Sequence, residues 1–355
     1  MVRVFVTGAT GVLGRATVPL LRERGHHVVT LSRSDKHDAA IPALGAEPVR
    51  ADLFDPASLR LAMAGADAVL HLAIRIPPTT QARRRVAWAD NDRIRAEGTR
   101  NLVDAAIEAD VAVVVYPSVT FVYADGGDRW LDARTADLQP LDHLHSTLAA
   151  EAEVRRFTEL NPSHRGVSLR LALLYGPDAP STAEQLRLAT RGLTFLAKPR
   201  HSYTSWLWVG GAASALVAAL ERAPSATYDV ADDEPLRNDD LNAALAASVG
   251  RRRLYSLPAA AVPLLGGNPA ETLLRSHRIS NRRFKDATGW EPSVPNARVG
   301  LRRLPLPGRS APNACQTWLR PVIAALTISA LAAGTWQMAR RARAATASSA
   351  SATTG

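Results

Sequence analysis

The segment "LDHLHSTLAAEAEVRRF", residues 141–157, sets His143 and Thr147 four residues apart at the start of an amphipathic helix, so both side chains face one way. An imidazole with the ordinary pKa of about 6.5 exchanges protons near neutrality without help from a neighbouring cation. Thr147 can hydrogen-bond a sugar hydroxyl, and Ser118 and Thr120 in "YPSVT" can hold a substrate oxygen. Tyr123 in "FVYA" offers a phenol from another direction, with an ordinary pKa near 10. Three assignments stay open from the residues alone. His143 exchanges the proton, or Tyr123 donates it, or His143 is a solvated first-turn residue beside Asp142 and no side chain takes that role.

A second constellation stands at the N-terminus. In "VRVFVTGATGVLGRATVPLLRERGHHVVTLSRS" a β-branched run leads into Gly8, Gly11 and Gly14, then a helical pattern, then a second buried strand. Gly8 permits a tight turn, Gly11 lets backbone approach a pyrophosphate, and Gly14 lets helix pack on strand. The unpaired N–H groups of the helix start then attract phosphate. At the end of the second strand "LSRS" carries Arg33 where an acidic residue would bind the ribose of NAD. Its guanidinium matches a ribose 2′-phosphate in charge and geometry, with Ser32 and Ser34 as donors, so NADP is expected and NAD is the alternative.

These loops need a frame. Strands are expected up to Ala51, to His71 and through "VAVVVYPSV", with helices after Pro56 and over "GTRNLVDAA". Alternating strands and helices over the first 120 residues imply an α/β fold with a doubly wound parallel sheet. Beyond Pro177 the pattern is less regular: helices are expected near 181–191, 214–223 and 238–250, and a strand over "SATYDVA". Arg187, Arg191 and Arg200 there are exposed arginines or contacts for an anionic substrate.

The chain has 355 residues and a formal charge of +10, carried almost wholly by arginine, since Lys36, Lys198 and Lys285 are its only lysines. The short arginine clusters at 83–85, 251–253 and 340–343 lack interleaved aromatics, so no nucleic-acid partner is expected. Cys315 is the lone cysteine, which excludes an internal disulfide and a cysteine-built zinc site, and the nine histidines show no metal-ligand spacing. A core strand already under way at residue 2 leaves no room for a cleavable secretion signal, so a cytoplasmic folded part is expected. Residues 304–317 read as a Pro-rich linker. Residues 318–343 form a hydrophobic helix, uncharged from Pro321 to Ala339 and flanked by Trp318, Trp336, Arg340 and Arg341. Membrane association through 318–339 is one reading of it, and packing on the domain or on a partner is the other. Residues 344–355 are an Ala/Ser/Thr-rich tail expected to be disordered, and the oligomeric state is left open.

In family terms the chain resembles the NAD-dependent epimerase/dehydratase group of the extended or atypical short-chain dehydrogenase/reductases. The matching pieces are "TGATGVLG", "ADLFD", "HLA", "GTRNLVDAA", "FVYA", "LAAE", "LRLALLYGP", "YDVADDEPL" and "FKDATGWEPS", in order from residue 2 to about 290. The resemblance implies a Rossmann domain over 1–175 and a smaller, interleaved substrate lobe over 176–303. It implies that Gly8, Thr10, Gly11, Val12, Leu13 and Gly14 line the pyrophosphate, with Arg33 near the adenosine phosphate and Asp52 and Leu53 at the adenine. It puts His71, Leu72 and Ala73 on the route to the nicotinamide, and Tyr175 and Pro177 near its end.

The departures fall at the reactive centre. Relatives exchange a proton through a tyrosine whose pKa a lysine one turn later lowers; here His143 and Thr147 stand in those slots. Val119 stands at the usual serine, flanked by Ser118 and Thr120; Arg95 replaces a common asparagine, and "LWVGGAA" replaces a His-Val-Asp-Asp pattern. The expected function is an atypical NAD(P)-dependent oxidoreductase on a small carbonyl, enone or activated alcohol, lacking the usual Tyr-Lys pair. The alternative is a non-catalytic NADP(H)-binding sensor or scaffold, which a cleft plugged by Trp206 and Trp208 would favour.

Overall fold

Strand β1 (Arg3–Thr7) is followed by the glycine loop and helix α1 (Val12–Glu23), and β2 (His27–Ser32) returns beside β1 with Val4 opposite Val28. In this computed structural model residues 1–78, 81–194, 199, 201–256 and 271–305 are described. The remaining sheet strands are β3 (Glu47–Arg50), β4 (Ala68–His71), β5 (Val113–Val119), β6 (Arg165–Leu171) and β7 (Ala226–Val230). All seven run parallel in the order β7-β6-β5-β4-β1-β2-β3. The chain therefore winds outward in both directions from β1 and β4, whose C-terminal ends meet at Thr7 and His71. That switch point leaves a crevice where an α/β sheet takes its ligand.

Side chains alternate across each strand, so the two faces of the sheet build two cores. Val4, Val6, Val28, Leu70 and Val115 join Leu13, Val18 and Leu21 of α1 on one face. Helix α8 (Val209–Arg222) packs on α1 there. Phe5, Val29, Val69 and Val114 face the other way. They meet Leu102 and Ala106 of α5 (Thr99–Glu108) and Val154 and Phe157 of α6 (His145–Leu160). The shorter α2 (Asp35–Ala40), α3 (Pro56–Ala62) and α4 (Ala89–Arg93) complete the sheet's connections.

A third core belongs to the small lobe. There α7 (Pro180–Thr190), α9 (Asn238–Ser248) and α11 (Ala297–Arg302) enclose Tyr175, Trp206, Leu241 and Leu245. Trp206–Trp208 pairs in parallel with Leu173–Tyr175. Helix α10 (Arg282–Thr288) packs Phe284 on Tyr228 of β7. Strand β7 comes from sequence that follows the first small-lobe elements, yet it completes the large sheet beside β6, with Val230 opposite Leu171. The described residues all belong to one compact unit. The hydrophobic helix expected over 318–343, its membrane association, the linker from 306 onward and the tail lie outside the described residues. Among the described residues no helix is long and apolar enough to cross a membrane.

One local expectation changes, and one turn appears that the local pattern does not mark. The turn Asp142–Leu144 is a 3-10 helix and α6 begins only at His145, so His143 and Thr147 do not ride one α-helical face. Between α4 and α5, residues Ile94–Gly98 form a π-turn, which breaks the regular side-chain period at Arg95.

Candidate active site

The glycine loop has the features that a phosphate cradle needs. Gly8 adopts φ +74°, and a Cβ there would lie 2.7 Å from the backbone of Leu72 and Ala73. Only glycine lets the ends of β1 and β4 come this close. A Cβ on Gly14 would run into the Ala9 and Gly8 carbonyls, so α1 seats tightly on the turn. Gly11 is the N-cap of α1 and brings no side chain, and no acidic residue occupies the first turn. The first N–H groups of a twelve-residue helix thus face the crevice without a side-chain cap. Thr10 and Val12 are half-buried at the loop, while Leu13 is buried in the core. Arg15 lies exposed beside the loop and donates from Nη1 to the Thr10 carbonyl at 2.7 Å. It is a second cation at the crevice, signalled only by its place directly after Gly14.

Arg33 is exposed at the end of β2, and among the described residues no carboxylate pairs with it. The nearby Asp35 and Asp38 are held instead by Arg50. Ser32 is buried and donates to the Ser34 carbonyl at 3.2 Å, which leaves Ser34 as the more accessible hydroxyl. Asp52 is exposed and accepts the Phe54 N–H at 3.0 Å; Leu53 is buried against Gly98, and its carbonyl accepts from Asn101 at 3.1 Å. This donor set fits a doubly phosphorylated dinucleotide: cap-free helix amides, a glycine cradle and a free guanidinium at the strand end.

Thr7 ties the two central strands together. Its Oγ1 lies 2.7 Å from His71 Nδ1 and accepts the Ala73 N–H at 3.3 Å. His71 is fully buried and stacks on Tyr116 with centroids 5.9 Å apart. Burial, with Arg95 adding to it, pushes the imidazole down to about 4, so it is neutral at pH 7. Leu72 is buried and Ala73 half-buried.

His143 and Thr147 come together with Arg95. His143 is 6% exposed and packs its ring on Trp88, with centroids 4.6 Å apart. Burial is the main reason its pKa falls to about 4; Arg85 and Arg95 lower it further, against an opposing pull from Asp92. At pH 7 His143 therefore enters the site as a neutral ring. Thr147 is fully buried, and Arg95 Nη1 donates to its Oγ1. Asp92, in turn, is bound by Arg85 and by the Ser146 hydroxyl at 2.8 Å.

Ser118 and Tyr123 are committed elsewhere. Ser118 donates to Glu151, which Arg170 grips through Nε at 2.9 Å and Nη2 at 2.6 Å. Arg170 Nη1 donates to the Tyr123 oxygen at 3.0 Å, and Tyr123 donates to Asp229 at 2.7 Å. Burial first, then the Asp229 charge, pushes the Tyr123 phenol well above its ordinary pKa. Tyr123 is fully buried and Thr120 is 2% exposed, so neither hydroxyl lines an open surface. The spacing of these residues gave no hint of the network, which joins four separate elements.

In the small lobe Tyr175 is buried between Trp206 and Trp208, with centroids 4.9 and 5.2 Å away, and donates to Asp232 at 2.9 Å. Pro177 is exposed just beyond it, and both tryptophans serve the packing of the lobe itself. Lys285 is held by Asp233 and Glu291. Arg187 and Arg191 are exposed, while Arg200 and Lys198 lie outside the described residues. Among the described residues no group of three potential ligands could hold a metal.

Known proteins align with this geometry. A family model described as NAD dependent epimerase/dehydratase family matches residues 4–231. The chain is 34% identical over 316 residues to a "3-diazoavenalumate denitrifying reductase" of Streptomyces sp, covering 85% of this chain and 99% of the relative. It is 29% identical over 339 residues to a "2-alkyl-3-oxoalkanoate reductase" of Stenotrophomonas maltophilia, covering 85% and 98%. Among solved structures, human epimerase family protein SDR39U1 with NADPH shares the fold at TM-score 0.71 and 24% identity, covering 85% of this chain and 98% of that one. By fold, by loop and by sequence, the chain belongs to the NAD-dependent epimerase/dehydratase family of NAD(P)-dependent oxidoreductases.

Proposed function

We propose that the protein is an NADPH-dependent reductase whose acceptor needs no side-chain acid. One observation supports this: the glycine loop has the features of a phosphate cradle, while His143 is neutral and a threonine stands at 147, where the resemblance implies a lysine. The α1 amides and Gly11 would hold the pyrophosphate, and Arg33 with Ser34 would hold the 2′-phosphate that distinguishes NADP from NAD. When bound, NADPH would supply a hydride, and hydride joining a diazonium carbon makes C–H as C–N breaks and N2 departs with the bonding pair, so the balance requires no proton. A carbonyl acceptor, by contrast, leaves an alkoxide that must be protonated. The chain's own task is then to bind, orient and exclude water, an effect that can be large without an acid. His143 would contribute a neutral N–H, Thr147 would fix Arg95, and Trp88, packed on His143, would help exclude water.

The names of the two reductases support a diazo acid as acceptor, with a 3-oxo acid as second choice; both are carboxylates. The test is anaerobic incubation with NADPH and diazotised 3-amino-4-hydroxycinnamate carrying a 15N2 label. One labelled N2 released per NADPH oxidised is expected. NADPH bound without oxidation by this acid, by 3-oxo acids or by enones would leave a non-catalytic NADP(H)-binding protein.

A further inference from the structure

Among the described residues two arginines are buried, and only one of them has a counter-ion. Arg170 is clasped by Glu151. Arg95 is 5% exposed, spends Nη1 on the neutral Thr147 hydroxyl, and leaves Nε without any partner. Every acid on α4, the π-turn, α5 and α6 is committed, and Asp142, exposed in the turn before α6, acts on His143. Asp92 belongs to Arg85 and Ser146, Glu97 to Arg93, and Glu151 to Arg170 and Ser118. The remaining titratable neighbours, His71, His143 and Tyr116, are all held neutral by burial at pH 7. A buried cation without an anion is costly, and proteins keep one where a ligand completes the pair. The π-turn Ile94–Gly98 adds a second sign, because such turns concentrate at functional sites.

Position narrows the ligand. Arg95 acts electrostatically on His71, at the β4 end that meets Thr7, and on His143, whose ring packs at a tilt on Trp88. The guanidinium therefore lies near the C-terminal end of β4, which meets β1 at Thr7, and near the Trp88–His143 pair. We propose that Arg95 anchors the carboxylate of an organic-acid substrate, with Thr147 fixing the guanidinium and the Trp88–His143 pair flanking a flat chain. This rests on the reductase reading for the reaction, though not for the binding. Arg95 is thus a specificity residue that selects acids over their neutral analogues.

The test compares cinnamate with cinnamamide, and hexanoate with hexanamide, by calorimetric titration of the full-length protein with and without saturating NADPH. Wild type should bind at least one acid about tenfold or more tightly than its amide. Arg95→Met should erase that preference, keep NADPH affinity within about twofold and leave the ligand-free melting temperature no lower; Arg95→Lys should restore part of the preference. Equal binding of acid and amide by wild type would overturn the proposal. So would a loss of NADPH affinity in Arg95→Met, which would assign the guanidinium to the cofactor, or a lowered melting temperature with the preference intact, which would make it a strut. Failure of wild type to bind NADPH would sink the reductase reading, while the titration without cofactor still decides the acid site.

Discussion

The Tyr123 hydroxyl donates to the Asp229 carboxylate across 2.7 Å, joining residues 106 apart in sequence beneath the candidate active site. The same oxygen accepts from Arg170 at 3.0 Å, so the phenol is spent on holding β7 and β6 to the loop after β5. Tyr123→Phe should cost about 1–3 kcal/mol, because it strands two buried polar groups, and should leave turnover per folded molecule unchanged. Denaturant melts alongside steady-state rates check this. A large loss of turnover at unchanged stability would make Tyr123 the proton donor after all.

Glu151 and Arg170 are 7% and 5% exposed and doubly bonded. Glu151→Leu leaves a buried guanidinium unpaired and should destabilise the fold by about 3–5 kcal/mol. The double variant Glu151→Leu with Arg170→Met should recover much of that, and a double-mutant cycle measures the coupling. Full additivity would mean that the pair is not coupled.

Gly8 and Gly25 both have positive φ, +74° and +80°, but only Gly8 faces backbone within 4 Å. Each Gly→Ala change should cost about 1 kcal/mol or more from strain. Gly8→Ala should also weaken NADPH binding at least tenfold by prising β4 from β1, whereas Gly25→Ala should leave binding untouched. Equal effects on binding would remove Gly8 from the cradle.

Much of the frame could be read from the chain. The glycine spacing, the β-branched runs and the Pro56 helix start are local signals, and the strands end within a residue of where those signals put them. The reactive centre was less legible, for a physical reason. Leu141 is extended and Asp142–Leu144 closes as a 3-10 turn, so the four-residue spacing of His143 and Thr147 suggested a shared helical face that does not form. Neither the Tyr123–Asp229 bond nor the commitment of Ser118 to Glu151 leaves a trace in local periodicity, since each partner comes from a distant element. Arg95 stood out by type, yet its lack of a counter-ion emerges only once every neighbouring acid is assigned.

His143 has a folded pKa of about 4 against an ordinary 6.5, lowered chiefly by burial. For a base whose folded pKa is depressed, the unfolded chain takes up the proton first. The stabilisation is therefore complete above pH 6.5 and is lost as pH falls toward 4. The stability gap between wild type and His143→Gln should shrink by up to about 3 kcal/mol between pH 7.5 and 4. A constant gap across that range would show a solvated, normally titrating imidazole.

The central claim is that the crevice between β1 and β4 holds NADPH, with Arg33 on its 2′-phosphate. Fluorescence titration of NADPH and NADH against wild type, Arg33→Ala and Gly11→Trp tests it most directly. Wild type should bind NADPH at least about tenfold tighter than NADH, a difference of about 1.4 kcal/mol. Arg33→Ala should bring the two nucleotides together, and Gly11→Trp should bind neither. Equal wild-type affinities would contradict the NADPH assignment, and no binding of either nucleotide at millimolar concentration would contradict the account as a whole.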